Sequence, residues 1–384
     1  MTKTPSKTSQ PSTGRRRVLT GLALAPALAA PAVHAQSTRV LTLVTTWPRG
    51  LPGLAATPER FTNRINTMSG GTLKIDYFAA GEKMGAFDSF DAVRQGNGAD
   101  MYHACEYYWQ GRDRAYNFFT TVPFGLTAQE FSTWVERGGG QQLWDRLAAN
   151  YNIKGFMCGN TGTQMGGWYA QPIRSLSDMR GIRIRIPGLA ADIFRALGAE
   201  PVSLPGGQIP AALFSGEIDA VEWVGPYNDL EFGVHKVLRH YMYPGFHEPG
   251  TCAALGINLQ TWNSLDAAQQ AMIQAACAAE NRTMLAEYSA RSGAALNQMQ
   301  VEYGTQVHRF ADDVYNQVAE IVADIMSGLS SESPQTAEVV QSFTAFRAQM
   351  APFARQMTGE TVTRRAAYLR TRAEANQVFD DIVD

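Results

Sequence analysis

Residues 40–78 read VLTLVTTWPRGLPGLAATPERFTNRINTMSGGTLKIDYF, and this stretch contains the pattern of a strand, a helix and a second strand. Residues 40–44 form a β-branched and aliphatic run, which is typical of a buried strand. Thr57 and Pro58 offer a helix N-cap and a first-turn proline. Residues 73–78 then alternate apolar and polar side chains, as a strand does. The order strand, helix, strand favours an α/β fold.

The same alternation continues along the chain. A helix is predicted at 87–95, and strands are predicted at 99–103, 153–157, 182–186 and 218–223. Repeated alternation of this kind predicts an α/β sheet. Ligands of such sheets bind beyond the carboxyl ends of the strands, so the residues that follow each strand are the first candidates for a site.

The last third of the chain is predicted to be mostly helical. We expect a long helix at 264–300, a short strand near 307–310, a helix at 311–326 and a helical tail that begins at Ser333-Pro334. The tail carries an apolar stripe through Val339, Val340, Phe343, Phe346, Met350 and Phe353. This stripe either packs against the body of the protein or forms a dimerisation arm.

The first residues have the pattern of an export signal. Arg15-Arg16-Arg17-Val18-Leu19 precedes an uncharged, Ala/Leu-rich stretch at 21–33, and Val33-His34-Ala35 supplies a small-residue end. We therefore predict an export signal over residues 1–35 and a periplasmic location. The arginines favour the twin-arginine route, with general secretion as the alternative. The apolar run is shorter than the ~20 residues that cross a bilayer.

Charge and length restrict the class of protein further. Residues 1–35 contain five basic and no acidic residues, so the formal charge of −2 becomes about −7 without them. A negative protein of this kind is a poor partner for nucleic acid. The roughly 350 residues that remain exceed what one hydrophobic core usually supports, which predicts two lobes.

Cysteine and glycine patterns give no sign of a redox, zinc or nucleotide site. Cys105, Cys158, Cys252 and Cys277 are widely spaced and form no C-x-x-C pair, so we expect buried free thiols. The glycine-rich stretches follow neither the Walker pattern nor the G-x-G-x-x-G pattern. We assign no nucleotide.

Two arginines in the predicted strand at 182–186 are candidates for binding an anion. Arg183 and Arg185 alternate with isoleucines, so both point to one side of the strand. A guanidinium can hold a carboxylate through two parallel hydrogen bonds. We predict that Arg185, which is nearer the strand end, binds the ligand and that Arg183 faces the surface. A structural salt bridge is the alternative for either residue.

Oxygen-bearing side chains after other strands suggest a cation. Glu222 follows the predicted strand at 218–223, and an unpaired buried carboxylate is costly. Beside an anionic ligand, sodium or calcium would compensate for it, because these ions bind carboxylate, amide and backbone oxygens. The alternative is a Glu222–Arg185 pair without a metal ion. Glu248 is a further candidate, whereas His247 is predicted to be a lone loop histidine.

The motifs that carry a family resemblance are Trp47-Pro48, Tyr107-Tyr108-Trp109, Val122-Pro123-Phe124-Gly125 with Gln129-Glu130, Thr163-Gln164, Ile182-Arg183-Ile184-Arg185 and Asp219-Ala220-Val221-Glu222-Trp223. Because it carries these motifs in this order, the chain resembles the substrate-binding proteins of tripartite ATP-independent periplasmic (TRAP) transporters. The similarity is greatest to the branch that takes 2-oxo acids and related 2-hydroxy acids. It covers nearly all of the chain after residue 35.

The resemblance implies a periplasmic-binding-protein-like α/β fold with two lobes around a cleft. The implied division is lobe I at 36–160 and 251–263, lobe II at 161–250 and 301–330, a lobe-spanning helix at 264–300 and a C-terminal helical extension at 331–384. In the similar branch this extension exchanges between subunits, which implies a homodimer.

The resemblance also implies the roles of individual residues. Arg185 would hold the carboxylate of a small monocarboxylate such as pyruvate or lactate. A metal ion, sodium or calcium, would be bound by Gln164, Glu222 and the backbone carbonyl of Trp223, with Glu248 beside them. The implied substrate-binding set is Arg185, Gln164, Asn160, Tyr107, Tyr108, Trp223 and Glu248.

The implied function is capture of the acid and delivery to TRAP membrane subunits, without catalysis. A sensory ligand-binding module and an exported metal-dependent enzyme that acts on a small acid are the alternatives. The sequence leaves open the chain length of the acid, its 2-oxo or 2-hydroxy identity and the choice between sodium and calcium.

Overall fold

The structure, a computed structural model, describes residues 38–371, with side chains through Tyr368. The export signal predicted at 1–35 and the last part of the predicted C-terminal extension, residues 372–384, lie outside the described residues. Within residues 38–371, no helix has both the length and the apolar character that a bilayer crossing requires.

Eleven strands in the described residues form two sheets. The strands are β1 (Arg39–Thr45), β2 (Leu73–Phe78), β3 (Met101–Ala104), β4 (Ile153–Asn160), β5 (Trp168–Tyr169), β6 (Arg183–Arg185), β7 (Glu200–Val202), β8 (Ala220–Val221), β9 (His240–Tyr243), β10 (Cys252–Asn258) and β11 (Gln306–Arg309). The first sheet has the order β2-β1-β3-β10-β4, and the second has the order β11-β9-β5-β8-β6-β7. The mixed α/β architecture that the sequence predicts is confirmed.

Strands of the first sheet end at a common edge. β1 pairs in parallel with β2 and β3, and Leu43 lies opposite both Tyr77 and Met101. β10 is antiparallel to both β3 and β4, so β4 runs in the same direction as β3. β4 extends to Asn160, beyond the predicted end at 157. The residues that follow β1, β3 and β4 therefore meet at one edge.

The second sheet gathers its strand ends in the same way. β6 is parallel to both β7 and β8, and Arg185 lies opposite Val221. β5 is antiparallel to both β8 and β9, so β9 runs in the same direction as β8. The residues just before β5 and those just after β9 therefore lie at the edge where β6 and β8 end. The predicted strand at 218–223 is shorter than expected, since only Ala220–Val221 pairs.

Twelve α-helices surround the sheets in the described residues. They are α1 (Ala56–Met68), α2 (Ser89–Gln95), α3 (Ala128–Arg137), α4 (Gly140–Ala149), α5 (Gly188–Ala196), α6 (Ile209–Phe214), α7 (Pro226–Phe232), α8 (Leu259–Asn263), α9 (Ala267–Tyr303), α10 (Asp312–Ser330), α11 (Pro334–Ala354) and α12 (Glu360–Thr371). The predicted N-cap at Thr57 is wrong: α1 begins at Ala56, and the Thr57 hydroxyl donates to the carbonyl oxygen of Gly53 at 2.8 Å. Short 3₁₀ turns at Glu106–Trp109 and Arg114–Phe119 follow β3.

The longest helix, α9, has 37 residues and contacts β4 of the first sheet and α7, the helix that follows β8 of the second sheet. A capping box between Asp266 and Gln269 begins it. Cys277 packs with Cys158 of β4 in an apolar cluster. Glu287 accepts a hydrogen bond at 2.7 Å from Tyr227 of α7, the helix that follows β8. All four cysteines are buried and free, as predicted.

The tail packs along its first half and exposes apolar side chains along its second half. Phe343 of α11 lies edge-on to Phe118 and Trp134, with ring centroids 5.3 and 5.2 Å away. Farther along, Phe353 and Met357 are exposed. The first part of the apolar stripe therefore packs against the body of the protein, whereas a dimerisation arm stays a prediction for the exposed second part.

Candidate functional site

The predicted site residues lie where the strands of the two sheets end. Arg185 ends β6, and Glu222 follows β8 at the same edge. Tyr107 and Tyr108 lie on the 3₁₀ turn after β3, and Asn160 ends β4. All predicted residues except the partly exposed Tyr108 are buried: Tyr107, Asn160, Gln164, Arg185, Glu222, Trp223 and Glu248.

Arg185 is 1% exposed, and hydrogen bonds hold its guanidinium group in place. Nε donates to the backbone oxygen of Leu204 at 3.1 Å, and Nη1 donates to the backbone oxygen of Glu222 at 2.8 Å. Nη2 donates to the Tyr108 hydroxyl over 3.5 Å. The guanidinium carbon lies 5.1 Å from the centre of the Trp223 ring, a cation–π distance. A guanidinium has five N–H donors, so its terminal nitrogens keep donors for a ligand.

Arg183, on the same strand, has a different environment. It forms an ion pair with Asp219, in which Nε and Nη2 lie 2.8 and 2.5 Å from the two carboxylate oxygens. Both side chains are partly exposed. Arg183 therefore lies outside the site and provides a matched comparison for Arg185.

Three buried side-chain oxygen atoms of the predicted site residues have no hydrogen-bond donor among the described residues. They are both carboxylate oxygens of Glu222 and Oε1 of Gln164. The Gln164 amide nitrogen is already used, since it donates to Thr161 Oγ1 at 3.0 Å. Buried oxygens without a donor are costly, and hard cations bind carboxylate and amide oxygens. These residues fit a cation such as sodium or calcium.

The alternative pair between Arg185 and Glu222 does not remove this cost. Arg185 Nη1 lies 3.5 Å from Glu222 Oε2, a contact that places opposite charges together without a hydrogen bond. The guanidinium instead donates to the backbone oxygen of Glu222. The carboxylate therefore remains free to bind an ion.

The loop between β9 and β10 brings His247 and Glu248 to Glu222. His247 Nε2 lies 3.4 Å from Glu222 Oε1, and His247 is 1% exposed, so the prediction of a lone loop histidine is wrong. Burial lowers the pKa of His247, but the direct contact with the Glu222 carboxylate and the charges of Glu222 and Glu248 outweigh it and leave the pKa raised. Burial, with the charge of Glu222, raises the pKa of Glu248 to about 7. Glu248 accepts a hydrogen bond at 2.5 Å from Thr251.

Asp229 of α7 supports the turn after β8, a role that the sequence pattern does not reveal. Its Oδ1 accepts from the backbone N–H groups of Val224 and Gly225, at 3.3 and 3.1 Å. Its Oδ2 accepts from Trp168 Nε1 at 2.8 Å and from the Tyr241 hydroxyl at 2.7 Å. These four bonds fix the backbone beside Glu222 and Trp223.

A small cavity of about 10 Å³ lies between these elements. Its walls combine aromatic and aliphatic groups with a few polar ones: Trp47, Leu54, Cys105, Tyr107, Tyr108, Thr161, Gln164, Trp223, Val224 and Thr251. A space of this size holds about one water molecule. The residues that follow the strands of the two sheets therefore pack closely against one another around this cavity, as expected for a closed cleft.

The chain is similar to known extracellular solute-binding proteins. The family model described as "Bacterial extracellular solute-binding protein, family 7" matches residues 43–331. The chain is also 38% identical over 308 residues to a Nostoc protein named as a monocarboxylate 2-oxoacid-binding periplasmic protein. The aligned region covers 80% of this chain and 84% of that relative.

Three solved structures of TRAP solute-binding proteins are similar to the chain. One from Bordetella bronchiseptica, a dimer with calcium and picolinate, has a TM-score of 0.85 at 31% identity and covers 87% of this chain and 99% of its own. One from Pseudoalteromonas atlantica, with sodium and pyruvate, has a TM-score of 0.82 at 31% identity and covers 85% and 99%. One from Colwellia psychrerythraea, with calcium and pyruvate, has a TM-score of 0.82 at 32% identity and covers 85% and 99%.

Proposed function

Since the chain belongs to family 7 of the bacterial extracellular solute-binding proteins, we propose that it captures a small 2-oxo or 2-hydroxy monocarboxylate together with a cation. Pyruvate and lactate are the acids that we expect, and the membrane subunits of a TRAP transporter receive them. The observation that carries the proposal is the buried Arg185 beside the buried Glu222, whose two carboxylate oxygens lack a donor, as does Oε1 of the buried Gln164.

Arg185 binds the carboxylate of the acid. Its charge is buried, and its hydrogen bonds to the backbone of Leu204 and Glu222 fix its orientation before the ligand arrives. A fixed guanidinium presents parallel donors to a carboxylate without losing further side-chain freedom. Tyr107, Tyr108 and Asn160 line the space around the acid, and Asn160 Nδ2 is a buried donor without an acceptor among the described residues.

Gln164, Glu222 and the backbone carbonyl of Trp223 hold the cation, with Glu248 beside them. The cation supplies positive charge that offsets the acidic side chains and the bound acid. If both Glu222 and Glu248 bind it, calcium is favoured over sodium, because two carboxylates suit a divalent ion.

Binding shifts the protein towards its closed form. Contacts between the two sheets' elements are already formed in the closed structure: the rings of Trp47 and Trp223 lie 6.5 Å apart, and Asn228 donates to the Pro52 carbonyl oxygen at 2.6 Å. An acid and an ion that touch both sides add to these contacts only when the cleft is closed. The closed form is the one that the membrane subunits recognise.

Location and assembly form part of the proposal. The basic and apolar pattern of residues 1–35 supports export to the periplasm. The exposed Phe353, Met357 and Val362 along the C-terminal helices support a homodimer through this extension.

We also propose that the protein binds the acid without transforming it. The family model describes a solute-binding protein, and the named relative is a binding protein. A sensory binding module remains the rival, and the neighbouring genes distinguish the two: TRAP membrane subunits indicate transport, whereas a sensor kinase indicates sensing.

The test is identification of the bound molecule. Protein recovered from the periplasm is denatured, and the released small molecules are identified by mass spectrometry and re-bound in a calorimetric panel of 2-oxo and 2-hydroxy acids. We expect a short 2-oxo or 2-hydroxy monocarboxylate, bound and recovered unchanged. Preference for a dicarboxylate, an amine or a sugar would reject the proposal, and a changed acid would show catalysis.

A further inference from the structure

We propose that His240 and His308 form a separate metal site, which takes a late transition-metal ion with Cu²⁺ as the type. This inference goes beyond the proposed function and does not depend on it. Neither histidine lines the small cavity at the strand ends, and neither belongs to the group formed by Glu222, His247 and Glu248. The site joins two neighbouring strands of the second sheet.

The two histidines lie on the same face of a pair of parallel strands. His240 begins β9 and lies opposite Gln306 of β11. His308 is two residues beyond Gln306, and alternate residues of a strand point to the same face. β11 is an edge strand of the second sheet, and β9 is its neighbour. The register of the sheet therefore brings the two rings together without the help of a loop.

The nitrogen atoms that face each other have the spacing of two ligands on one ion. His240 Nδ1 and His308 Nε2 are 3.0 Å apart, and the ring centroids are 5.1 Å apart with the ring planes inclined by 40°. Imidazole nitrogens bind such ions at about 2.0–2.1 Å, so two of them at adjacent corners of a square or a tetrahedron are about 2.8–3.4 Å apart. The observed spacing lies within this range.

Without an ion, the same spacing is a hydrogen bond between two neutral imidazoles, in which one nitrogen donates and the other accepts. An ion needs the lone pairs of both nitrogens. The donor ring therefore moves its proton to its other nitrogen when the ion binds, and no proton is released overall. No further hydrogen bond or ion pair joins either ring to another side chain among the described residues, so this shift breaks no other contact.

Exposure and charge select the ion. Both histidines are partly exposed, so an ion can reach them from solvent, and water fills its remaining positions. The charge of Arg174 acts on His240 and opposes any cation. Calcium and sodium prefer oxygen ligands and gain little from imidazoles. The affinity of nitrogen ligands rises along the first-row metals to Cu²⁺, so this ion overcomes the opposing charge best.

A bound ion ties the edge strand to its neighbour. β9 continues into the loop that carries His247 and Glu248, and β11 follows α9. An ion that binds the folded protein and not the unfolded chain stabilises the fold. Cu²⁺ should therefore raise the Tm of the parent, and this increase should be absent when either His240 or His308 is replaced.

Titration calorimetry of Cu²⁺ into protein without an affinity tag tests the inference. Excess Ca²⁺ and pyruvate are present, because under the proposed function they occupy the site at the strand ends. We expect one Cu²⁺ per chain. His240→Gln and His308→Gln should each weaken its binding by about 10-fold or more, because each removes one half of a two-ligand site. His247→Gln is the matched control, because His247 belongs to the other group of possible metal ligands, and it should bind Cu²⁺ as the parent does.

A spectrum supplies the direct readout. At one equivalent of Cu²⁺, electron paramagnetic resonance of the parent should show coupling to two imidazole nitrogens, and each of His240→Gln and His308→Gln should lose this signal. If one of these variants fails to fold, the parent spectrum and the other variant decide. Cu²⁺ binding that survives in both variants, that disappears in His247→Gln or that shows fewer than two nitrogens in the parent would overturn the inference. Pyruvate binding is measured separately and bears on the proposed function alone.

Discussion

Arg185 Nη1 lies 2.8 Å from the backbone oxygen of Glu222 but 3.5 Å from its carboxylate oxygen Oε2. The guanidinium is thus anchored by the backbone of the residue whose side chain remains without a donor. The guanidinium and the carboxylate thus lie side by side as opposite charges, but no hydrogen bond joins them. A carboxylate ligand for the first and a cation for the second would satisfy both.

Arg185→Ala should abolish tight binding of the acid. Truncating one partner of a buried charged contact costs about 2–5 kcal/mol, so we expect pyruvate affinity to fall by about 30-fold or more. Titration calorimetry measures this fall. Arg183→Ala is the control, since Arg183 begins the same strand and forms a partly exposed ion pair with Asp219. Equal affinities of Arg185→Ala and the parent would show that the acid binds elsewhere.

Asp229→Asn should weaken cation binding although Asp229 does not contact the ion. Asparagine keeps one carbonyl oxygen but replaces the other with an amide nitrogen, which cannot accept hydrogen bonds. Either the N–H groups of the turn or the donors on Trp168 and Tyr241 therefore lose their acceptor, and the support of the turn loosens. Changes to residues that orient metal ligands typically cost about 10–100-fold in metal affinity. Calorimetric titration of the ion measures the effect, with Asp178→Asn as a control, because the exposed Asp178 accepts hydrogen bonds from the backbone of Arg174 and Ser175 and not from the turn after β8. Parent-like ion affinity in Asp229→Asn would contradict this role.

Part of the site could be predicted from the sequence, because it follows short strands. Alternation with isoleucine identified the strand of Arg185, and the apolar run before Glu222 identified its position after a strand. His247 had no such signal, since a histidine in a loop follows no period. Asp229 lies on α7, and its contact with the turn depends on how that helix packs. Tertiary packing, and not local pattern, recruits these two residues.

The fold shows the same limits. The long helix and the α/β alternation were predictable because they extend over many residues. The start of α1 was not predictable, because the Thr57 hydroxyl donates to the carbonyl oxygen of Gly53 and does not accept from a backbone N–H group as an N-cap would. The predicted lobe boundaries stay a prediction, and so do the individual roles of the site residues.

Glu106→Gln should change how stability depends on pH. Glu106 is 0% exposed, and burial raises its pKa to about 7, although hydrogen bonds from Tyr102 and Trp144 oppose the rise. The folded state therefore holds this proton more tightly than the unfolded state, whose pKa is about 4.3. The contribution of Glu106 to stability is complete below that value and is lost as the pH rises through 7.

Glutamine cannot ionise, so the unfolding free energy of Glu106→Gln minus that of the parent should rise by on the order of 3 kcal/mol between pH 4.5 and 8. Denaturant titrations across this range measure the difference. Other titrating groups are present in both proteins and cancel. Parallel stability curves for the two proteins would contradict the raised pKa of Glu106.

Phe353→Asp should shift the protein towards monomer. Phe353 is 60% exposed on α11, and a charge there would be buried without a partner in a dimer formed through the tail. Sedimentation velocity measures the mass. Phe214→Asp is the matched control, because Phe214 is 73% exposed on α6. A monomeric parent, or the same mass for parent and Phe353→Asp, would refute a dimer through this helix.

Titration of pyruvate into chelator-stripped, sodium-free protein, repeated after Ca²⁺ or Na⁺ is restored, tests the central claim most directly. The side chains of Glu222 and Gln164 offer buried oxygens without a donor among the described residues, so we predict that pyruvate binds weakly to the stripped protein and tightly once an ion is present, with one acid per chain. Equal affinity with and without the ions would contradict the joint capture of acid and cation.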